Sequence, residues 1–345
     1  MVGRARTLKR STRLVATSVL VTGGAGFIGS HVVDDLVRAG YRVTVFDNFS
    51  SGLRENLAAL DGDVEIVEGN VLDARALQAA ARGKEIVSHQ AAQLEITKCL
   101  EDPLDDMRTN LVGTINVLEA ARAAGASRVV NASSACIYGQ AVNPPSDEDA
   151  GPHNPNWSYG ASKLAAEKYA QIFAHDYGFA VSSLRYGITY GPREWYGRVL
   201  TIFLKRLSEG KPPVVFGAGE QLRDFVYVED VVRIHRACIE SGMEGAQSFN
   251  GGTGVATSIA ELAHLVCEVT GTELEPLTEN VAPGERSELV DGRMRLPSEL
   301  DVMQLSPKKV ERTFGITPQV TLREGLRREW EWLLENSHRW KTMSY

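Results

Sequence analysis

A tyrosine and a lysine four residues apart form the most reactive pattern in the chain. Tyr159 and Lys163 lie in an alanine-rich stretch, and this spacing places both side chains on one face of a helix. A phenol, with a reference pKa of about 10, is a poor base at neutral pH, but a neighbouring ammonium favours the phenolate. The pair therefore predicts a tyrosine general base. An ordinary pair on a helix surface would show the same spacing.

A glycine-rich turn follows the first β-branched run. Gly23, Gly26 and Gly29 are spaced G-x-x-G-x-x-G between apolar strand residues and the start of an apolar helix. Backbone N–H groups in such a turn can approach a pyrophosphate at the positive end of the helix. The turn therefore predicts a dinucleotide site, with a plain strand-to-helix turn as the alternative.

An acidic residue closes the second predicted strand. Asp47 lies 24 residues after Gly23, where a carboxylate can accept hydrogen bonds from the adenosine ribose hydroxyls. This position favours NAD over NADP, because Asp47 would repel a 2′-phosphate. Arg54 is close enough in sequence to keep NADP open, and Asp47 with Asn48 could instead start a turn. His89, at the end of the fourth predicted strand, is interpreted as a packed structural residue.

The elements that must position these residues alternate between β-branched and Ala/Leu-rich stretches, which predicts a parallel sheet with crossover helices. The fold class is α/β, a Rossmann-type doubly wound sheet with a smaller C-terminal α/β lobe. Six strands are expected: Ser18–Val21, Arg42–Phe46, Val64–Val67, Glu85–His89, Arg128–Ala132 and Ala180–Leu184. Helices are expected at Ile28–Ala39, Ala74–Ala81, Leu104–Ala124, Tyr159–Tyr177, Leu200–Glu209, Ser258–Thr270 and Leu322–Glu335.

Three regions are expected along the 345 residues. Residues 1–17 form a disordered basic extension, for which a transit peptide is the alternative. Residues 18–187 form a dinucleotide-binding Rossmann domain. Residues 188–345 form mainly the substrate lobe, with some segments returning to the first domain. The cleft between the two is the expected ligand site.

Composition narrows the functional class. Hydrophobic residues make up 43% and charged residues 23%, as in globular proteins. The net charge of −7 does not indicate a basic surface for nucleic acid, so nucleic acid is not an expected partner. The four cysteines are widely spaced, so neither a metal site nor a disulfide framework is predicted, and a cytoplasmic location is expected. The basic tail contains no apolar run long enough for a membrane span.

Several motifs together resemble the extended short-chain dehydrogenase/reductase family, specifically its NAD-dependent nucleotide-sugar epimerase/dehydratase group. Ser133 and Ser134 support this, since they lie at the end of the fifth predicted strand and Ser134 precedes Tyr159 by 25 residues. The matching segments are TGGAGFIGSH (22–31), DNFSSG (47–52), HQAAQ (89–93), NLVGT (110–114), SSACIYG (133–139), YGASK (159–163), LRYGITYGPR (184–193) and LRDFVYVEDV (222–231).

The resemblance implies a role for each matching position. Ser134 would hydrogen-bond the reacting hydroxyl, Tyr159 would exchange its proton, and Lys163 would hold the ribose and tune Tyr159. NAD contacts are implied for Gly23, Gly26, Phe27, Ile28, Gly29, Asp47, Asn48, Ser51, Gly52, Asn70, Val71, Ala91, Ala92, Gln93, Asn110, Ser133, Tyr159, Lys163 and Tyr186. Contacts with a nucleotide-diphosphate sugar are implied for Glu95, Thr97, Ser134, Cys136, Tyr159, Gly187, Arg198, Arg223 and Arg286.

The positions after Ser134 favour one reaction of this group. Related 4,6-dehydratases carry an Asp-Glu pair where this chain has Ala135 and Cys136, and neither residue can supply the acid or base that elimination needs. The resemblance therefore favours 4-epimerisation through a transient 4-keto sugar. Decarboxylation, dehydration, net reduction and a catalytically silent NAD-binding scaffold stay open.

Departures from the family pattern concern the sugar and the assembly. Gly187 and Ile188 stand where relatives carry Phe-Asn, which opens space near the diphosphate. Glu95 would repel a uronic acid, although Arg198 could compensate. Relatives commonly pair the two long helices expected at Leu104–Ala124 and Tyr159–Tyr177, so a homodimer is expected.

Overall fold

The computed structural model describes residues 16–60, 62–194 and 197–342. The first strand begins at Ser18. Apart from Ala16 and Thr17, the basic extension expected at residues 1–17 lies outside the described residues.

The described residues form fourteen β-strands, most of them short. In chain order they are β1 Ser18–Thr22, β2 Arg42–Asp47, β3 Glu65–Glu68, β4 Ile86–His89, β5 Arg128–Ser134, β6 Ala180–Tyr186, β7 Ile188–Tyr190, β8 Val214–Phe216, β9 Leu222–Arg223, β10 Phe225–Tyr227, β11 Ala246–Gly251, β12 Thr257–Ser258, β13 Leu277–Glu279 and β14 Val302–Met303.

The helices connect these strands. The α-helices are α1 Phe27–Arg38, α2 Ala74–Ala81, α3 Ile96–Glu101, α4 Pro103–Met107, α5 Gly113–Ala124, α6 Ser158–Tyr177, α7 Val199–Ser208, α8 Val228–Glu240, α9 Ile259–Thr270, α10 Lys308–Phe314 and α11 Leu322–Glu335. A π-helical turn spans Arg108–Val112, and 3₁₀ helices span Arg54–Leu60, Ala135–Ile137 and Ser337–Thr342. None of the helices within the described ranges combines the length and the apolar run needed to cross a bilayer.

The central sheet is parallel throughout, in the order β11-β6-β5-β4-β1-β2-β3. The Rossmann-type α/β class is confirmed, but the prediction of six strands was wrong because β11 adds a seventh beside β6. The sequence of β11, Ala-Gln-Ser-Phe-Asn-Gly, has little apolar character. Its long-range pairing with β6 therefore determines that it is a strand, and local composition does not reveal it.

Helices cover both faces of this sheet. Val19 and Val21 of β1 belong to one apolar core that includes residues of α1 and α8. Leu20, between them, belongs to a second core shared with α2, α5 and α6. The alternation follows from the two-residue period of a strand. Helix α8 and strand β11 come from the second half of the chain, yet α8 packs against the central sheet and β11 pairs with β6.

A separate apolar core lies in the C-terminal lobe. Phe203, Leu204, Leu262 and Leu326, from α7, α9 and α11, are buried there together with Phe225 of β10. Three small sheets accompany this core, formed by β10 with β7, by β12, β9 and β14, and by β13 with β8.

The long helix expected at Leu104–Ala124 is present and contains a π-helical turn. Helix α4 ends at Met107, the π-helical turn follows, and α5 begins at Gly113. The predicted helix is confirmed, but its π turn was not predicted, because hydrophobic periodicity does not detect one extra residue inserted into a turn. Such π turns are frequent at functional sites, and this one contains Asn110.

Candidate functional site

The glycine turn lies where the strand order reverses, between β1 and β4. In doubly wound sheets this switch point is the usual crevice for a nucleotide. Gly23 has a φ of +68°, and a Cβ at this position would lie 2.5 Å from the backbone nitrogen of Ala91. A Cβ at Gly29 would overlap the carbonyl of Gly23. Glycine is therefore required where the two strand ends meet.

Helix α1 begins immediately after this turn without a side-chain cap. Its N-cap residue is Gly26, and no side chain accepts hydrogen bonds from the first turn, which starts at Phe27 and Ile28. The first N–H groups of the helix and its positive end thus face the crevice, an arrangement suited to a pyrophosphate.

Asp47 organises the edge of the crevice at the end of β2. Its buried carboxylate accepts hydrogen bonds from the backbone N–H of Ala25 at 2.9 Å and of Phe49 at 2.8 Å. Burial raises the pKa of Asp47, and these two hydrogen bonds oppose the increase. Asp47 therefore ties the glycine turn to the segment that follows β2.

That segment folds over the glycine turn. Asn48 Oδ1 accepts from the backbone N–H of Ser50, at 3.1 Å, and Ser51 follows. A Cβ at Gly52 would come within 2.9 Å of Ala25 Cβ, so this approach also requires glycine. Residues 48–52 thus form one wall of the crevice, on the side where the sequence predicts the adenosine.

Arg54, which left NADP as an alternative cofactor in the sequence, forms an ion pair. Its guanidinium contacts Glu68 of β3 and lies 4.1 Å from the centre of the Phe49 ring. Glu68 is the direct strand partner of Asp47 in the parallel pairing of β2 with β3. Two carboxylates therefore end these neighbouring strands, which disfavours a 2′-phosphate at this edge.

Asn110 binds the backbone of the segment that follows β4. Its Oδ1 accepts from Gln93 N at 3.1 Å, and its Nδ2 donates to Gln93 O at 2.7 Å. This holds Ala91 and Ala92 beside the glycine turn. Tyr186, at the end of β6, donates from its hydroxyl to Gln90 Oε1 at 3.2 Å.

Asn70 and Val71 lie further along the same edge, after β3. Asn70 Oδ1 accepts from Leu72 N at 2.9 Å, and the largely buried Val71 offers its carbonyl to Asn116. Val71 also contacts the start of α5, where a Cβ at Gly113 would lie 2.8 Å from Val71 Cγ2.

His89 is a neutral structural residue. Its Nδ1 lies 2.7 Å from Thr22 Oγ1, and its Nε2 lies 3.0 Å from Thr114 Oγ1. Thr114 already donates its hydroxyl proton to Asn110 O, so Nε2 must carry the hydrogen that His89 donates. Burial, and after it the charge of Lys163, lowers the pKa of His89 to about 3.

The two serines at the end of β5 differ in their hydrogen bonds. Ser134 Oγ accepts from Cys136 N at 3.2 Å and so starts the 3₁₀ turn at Ala135. Ser133 Oγ is buried and has no hydrogen-bond partner among the described residues. A buried hydroxyl without a partner is costly, so its position suits a polar group of a ligand.

Tyr159 and Lys163 lie on α6, which begins against the 3₁₀ turn. A Cβ at Gly160 would lie 2.5 Å from the carbonyl oxygen of Cys136, so only glycine permits this approach. Tyr159 packs against the same apolar cluster as Cys136. Lys163 Nζ donates to Ala132 O at 2.9 Å and lies 5.9 Å from the centre of the Tyr159 ring. The structure thus brings Ser134, Tyr159 and Lys163 to one place.

Lys163 is buried, and its charge is correspondingly sensitive to its surroundings. Burial lowers the pKa of Lys163 to about 8, while the charges of Asp106 and Glu167 act in the opposite direction. Asp106 was not predicted from the sequence. Its spacing of four residues from Asn110 was the available signal, because that spacing places two side chains on one helix face.

The residues expected to contact the nucleotide-diphosphate sugar differ in their burial and in their partners. Cys136 is buried, and burial raises the pKa of its thiol against the opposing charges of Arg223 and Arg198. Arg198 Nε donates to the buried carboxylate of Glu194 at 2.7 Å. Arg286 is exposed and donates to Gly292 O.

The remaining sugar-side residues lie at the start of α3 and between β6 and β7. Glu95 forms an ion pair of 2.6 Å with Lys98, and Thr97 is half-buried beside it on α3. A Cβ at Gly187 would lie 3.2 Å from Asp224 O, so the backbone is closely packed there. Among the described residues, no three His, Cys, Asp or Glu side chains are grouped as a metal site would require.

Comparison with known proteins identifies the family. Residues 19–252 match the family described as NAD dependent epimerase/dehydratase. The chain belongs to this family. UDP-glucose 4-epimerase of Mycolicibacterium smegmatis is 35% identical over 92% of this chain and 99% of that protein.

Solved structures of family members agree with the fold. UDP-glucose 4-epimerase of Thermotoga maritima, determined with UDP-glucose, is 35% identical, with a TM-score of 0.83 over 93% of this chain and 100% of that chain. UDP-glucose 4-epimerase of Thermus thermophilus, determined with NAD, is also 35% identical, with a TM-score of 0.82 over the same shares. The predictions of the family and of NAD as its cofactor are confirmed.

The residues present fit NAD. The glycine turn leaves no room for a Cβ at Gly23, the start of α1 is uncapped, and Ser133 Oγ lacks a protein partner. These three features accommodate a pyrophosphate and one further polar group. The contacts assigned to individual residues stay predictions.

Proposed function

We propose that this chain is an NAD-dependent 4-epimerase of a UDP-hexose, with UDP-glucose and its 4-epimer as substrate and product. The segment that follows β5 carries the proposal. Ser134 is followed there by Ala135 and the buried thiol of Cys136, whose pKa is raised by burial. These positions provide no carboxylic acid for elimination, whereas Tyr159 and Lys163 provide the proton transfer that a redox step needs.

Each catalytic side chain has a task that its contacts allow. Bound NAD supplies the redox capacity at C4 of the sugar. Tyr159 takes the proton of the C4 hydroxyl and later returns it. Ser134 Oγ accepts from Cys136 N, and its hydroxyl would turn from the neighbouring Cys136 thiol to donate to the substrate oxygen. Lys163 keeps a positive charge near the Tyr159 ring, which favours the phenolate.

A neutral hexose suits the sugar-side charges better than a uronic acid. Arg198 would be the cation to hold a sugar carboxylate, but its guanidinium is paired with buried Glu194. Burial raises the pKa of Glu194 to about 7, and Arg198 opposes that increase. Glu95 adds a second carboxylate at the start of α3. Arg223 is the proposed contact of the diphosphate, because a guanidinium matches phosphate oxygens.

A homodimer is the proposed assembly. Helices α3 to α6 expose large apolar side chains, in contrast to the charged surface usual on a helix. The exposed residues are Leu100, Leu104, Val112, Tyr169, Ile172 and Tyr177. Pairing of this face with a second copy would remove them from water, and a monomer in light scattering at micromolar concentration would refute the proposal.

The proposed location is the cytoplasm. All four cysteines are free and buried. Their state suits a reducing compartment, in which thiols persist.

The test is incubation of the purified enzyme with UDP-glucose, followed by mass spectrometry and proton NMR. Epimerisation gives a product of unchanged mass with an inverted C4. UDP-glucuronic acid is the matched comparison, and its preferred turnover would contradict the choice of a neutral sugar. A product lighter by water or carbon dioxide would instead assign one of the other reactions of the family. No change with any UDP-sugar of a broad panel would favour a silent scaffold.

A further inference from the structure

A single buried carboxylate joins three elements beneath the catalytic residues. Asp106 of α4 is completely buried. Its Oδ1 accepts from Asn110 Nδ2 at 2.6 Å and from the Cys99 thiol at 3.3 Å. Its Oδ2 accepts from Ser162 Oγ at 2.8 Å. The carboxylate therefore connects α3 and the π-helical turn to α6, at the residue adjacent to Lys163.

The three hydrogen-bond donors to Asp106 are neutral, so its charge must be balanced from a longer distance. A buried charge is costly unless an opposite charge stabilises it. Lys163, next to Ser162 and equally buried, provides that charge, and Asp106 is the largest of the influences that favour its ammonium form.

The other groups near Lys163 stabilise its ammonium form less than Asp106 does. Glu167 lies one turn further along α6, but Arg185 binds its carboxylate with two nitrogen atoms, at 3.0 and 2.9 Å. Its charge is thus compensated by a guanidinium. Cys99 is a protonated thiol, because burial and then Asp106 raise its pKa. His89 is neutral. Of these groups, Asp106 is therefore the carboxylate whose charge stabilises Lys163 and is not compensated by a guanidinium.

We propose that Asp106 is a positioning residue, which fixes Asn110 against the backbone after β4 and keeps Lys163 in its ammonium form through its negative charge. Asp106 does not touch the substrate, and its effect is transmitted by these two residues. The catalytic consequence rests on the proposed function, because Lys163 matters for turnover only if Tyr159 is the base. The charge relation between Asp106 and Lys163 does not depend on it.

The sign of the expected effect follows from the charge. Removal of an anion near an ammonium lowers the pKa of the ammonium. Lys163, with a pKa of about 8, would then lose its proton at a lower pH. The alkaline limb of the activity profile should move down by about one pH unit in Asp106→Asn, which is the lower end of the range for a nearby charge.

The experiment compares two neutral variants with a control that keeps the charge. Asp106→Asn and Asp106→Ser both remove the charge; the asparagine retains an Oδ1 that can accept from Asn110, whereas the serine is too short to reach it. Ser162→Ala removes one hydrogen bond to Asp106 and leaves every charge in place. The side-chain titration of Lys163 is followed by NMR of ¹³C-labelled lysine in the NAD-bound enzyme, with the signal assigned by its loss in Lys163→Arg.

The expected result is a lower titration midpoint in both neutral variants and an unchanged midpoint in Ser162→Ala. A midpoint that stays at the wild-type value in either folded neutral variant would overturn the proposal. So would an equal shift in Ser162→Ala, because the effect would then be structural. Failure of the wild type to epimerise any UDP-sugar would refute the proposed function alone, since the titration requires no substrate.

Discussion

Replacement of Gly160 by alanine tests whether the close approach of α6 to the turn after β5 positions Tyr159. The added Cβ would lie 2.5 Å from Cys136 O and 2.8 Å from Pro155 Cβ, whereas ordinary contacts begin at 3.4 Å. The first obstacle is backbone, which cannot rotate away. The start of α6 must therefore retreat by about 1 Å, because protein interiors have no spare volume to absorb the methyl group.

The expected magnitude follows from this displacement. A misplacement of about 1 Å in a catalytic constellation costs about 10²-fold in rate, which corresponds to about 2.7 kcal/mol of activation free energy. Overpacking should also lower the free energy of unfolding by about 1–3 kcal/mol, and the better helix propensity of alanine offsets about 1 kcal/mol of that loss. The variant should therefore fold but turn over slowly.

The assay measures kcat by NMR detection of the 4-epimer, NAD affinity by fluorescence titration, and thermal unfolding. Gly242→Ala is the matched control, because its Cβ would meet nothing within 4 Å and its φ is not positive. The control should behave like the wild type in all three measurements. A Gly160→Ala enzyme with kcat within twofold of wild type and an unchanged melting temperature would refute the argument that this contact positions Tyr159.

Three further substitutions have definite expected outcomes. Tyr159→Phe should reduce kcat by about 10²–10⁴-fold with NAD affinity retained, and near-normal turnover would exclude the phenol as the base. Asp47→Ala removes the acceptor of two backbone hydrogen bonds and should weaken NAD binding by about 10-fold or more in a fluorescence titration; unchanged affinity would contradict its role. Cys136→Ala should retain measurable epimerase activity, and complete loss in a folded variant would show that the thiol takes part in the reaction.

Local motifs were sufficient to predict the fold class, the family and NAD. The glycine turn, Y-x-x-x-K and the polar strand ends each span only a few residues, so each pattern is visible in the sequence. Most of the predicted helices lie near their observed bounds, because apolar periodicity is a local property, although α8 was not predicted. The bounds of α6 differ from the prediction only at Ser158.

Tertiary structure decided what depends on distant partners. Strand β11 exists because β6 offers it a backbone partner, and the π-helical turn contains Asn110, which is held by Gln93 and Asp106. Asp106 and Glu194 look like ordinary surface acids in the sequence. Their chemistry follows from their burial and from the neighbouring Lys163 and Arg198. The strength of a charge depends on the groups that surround it in space. The spacing of residues along the chain does not specify those groups.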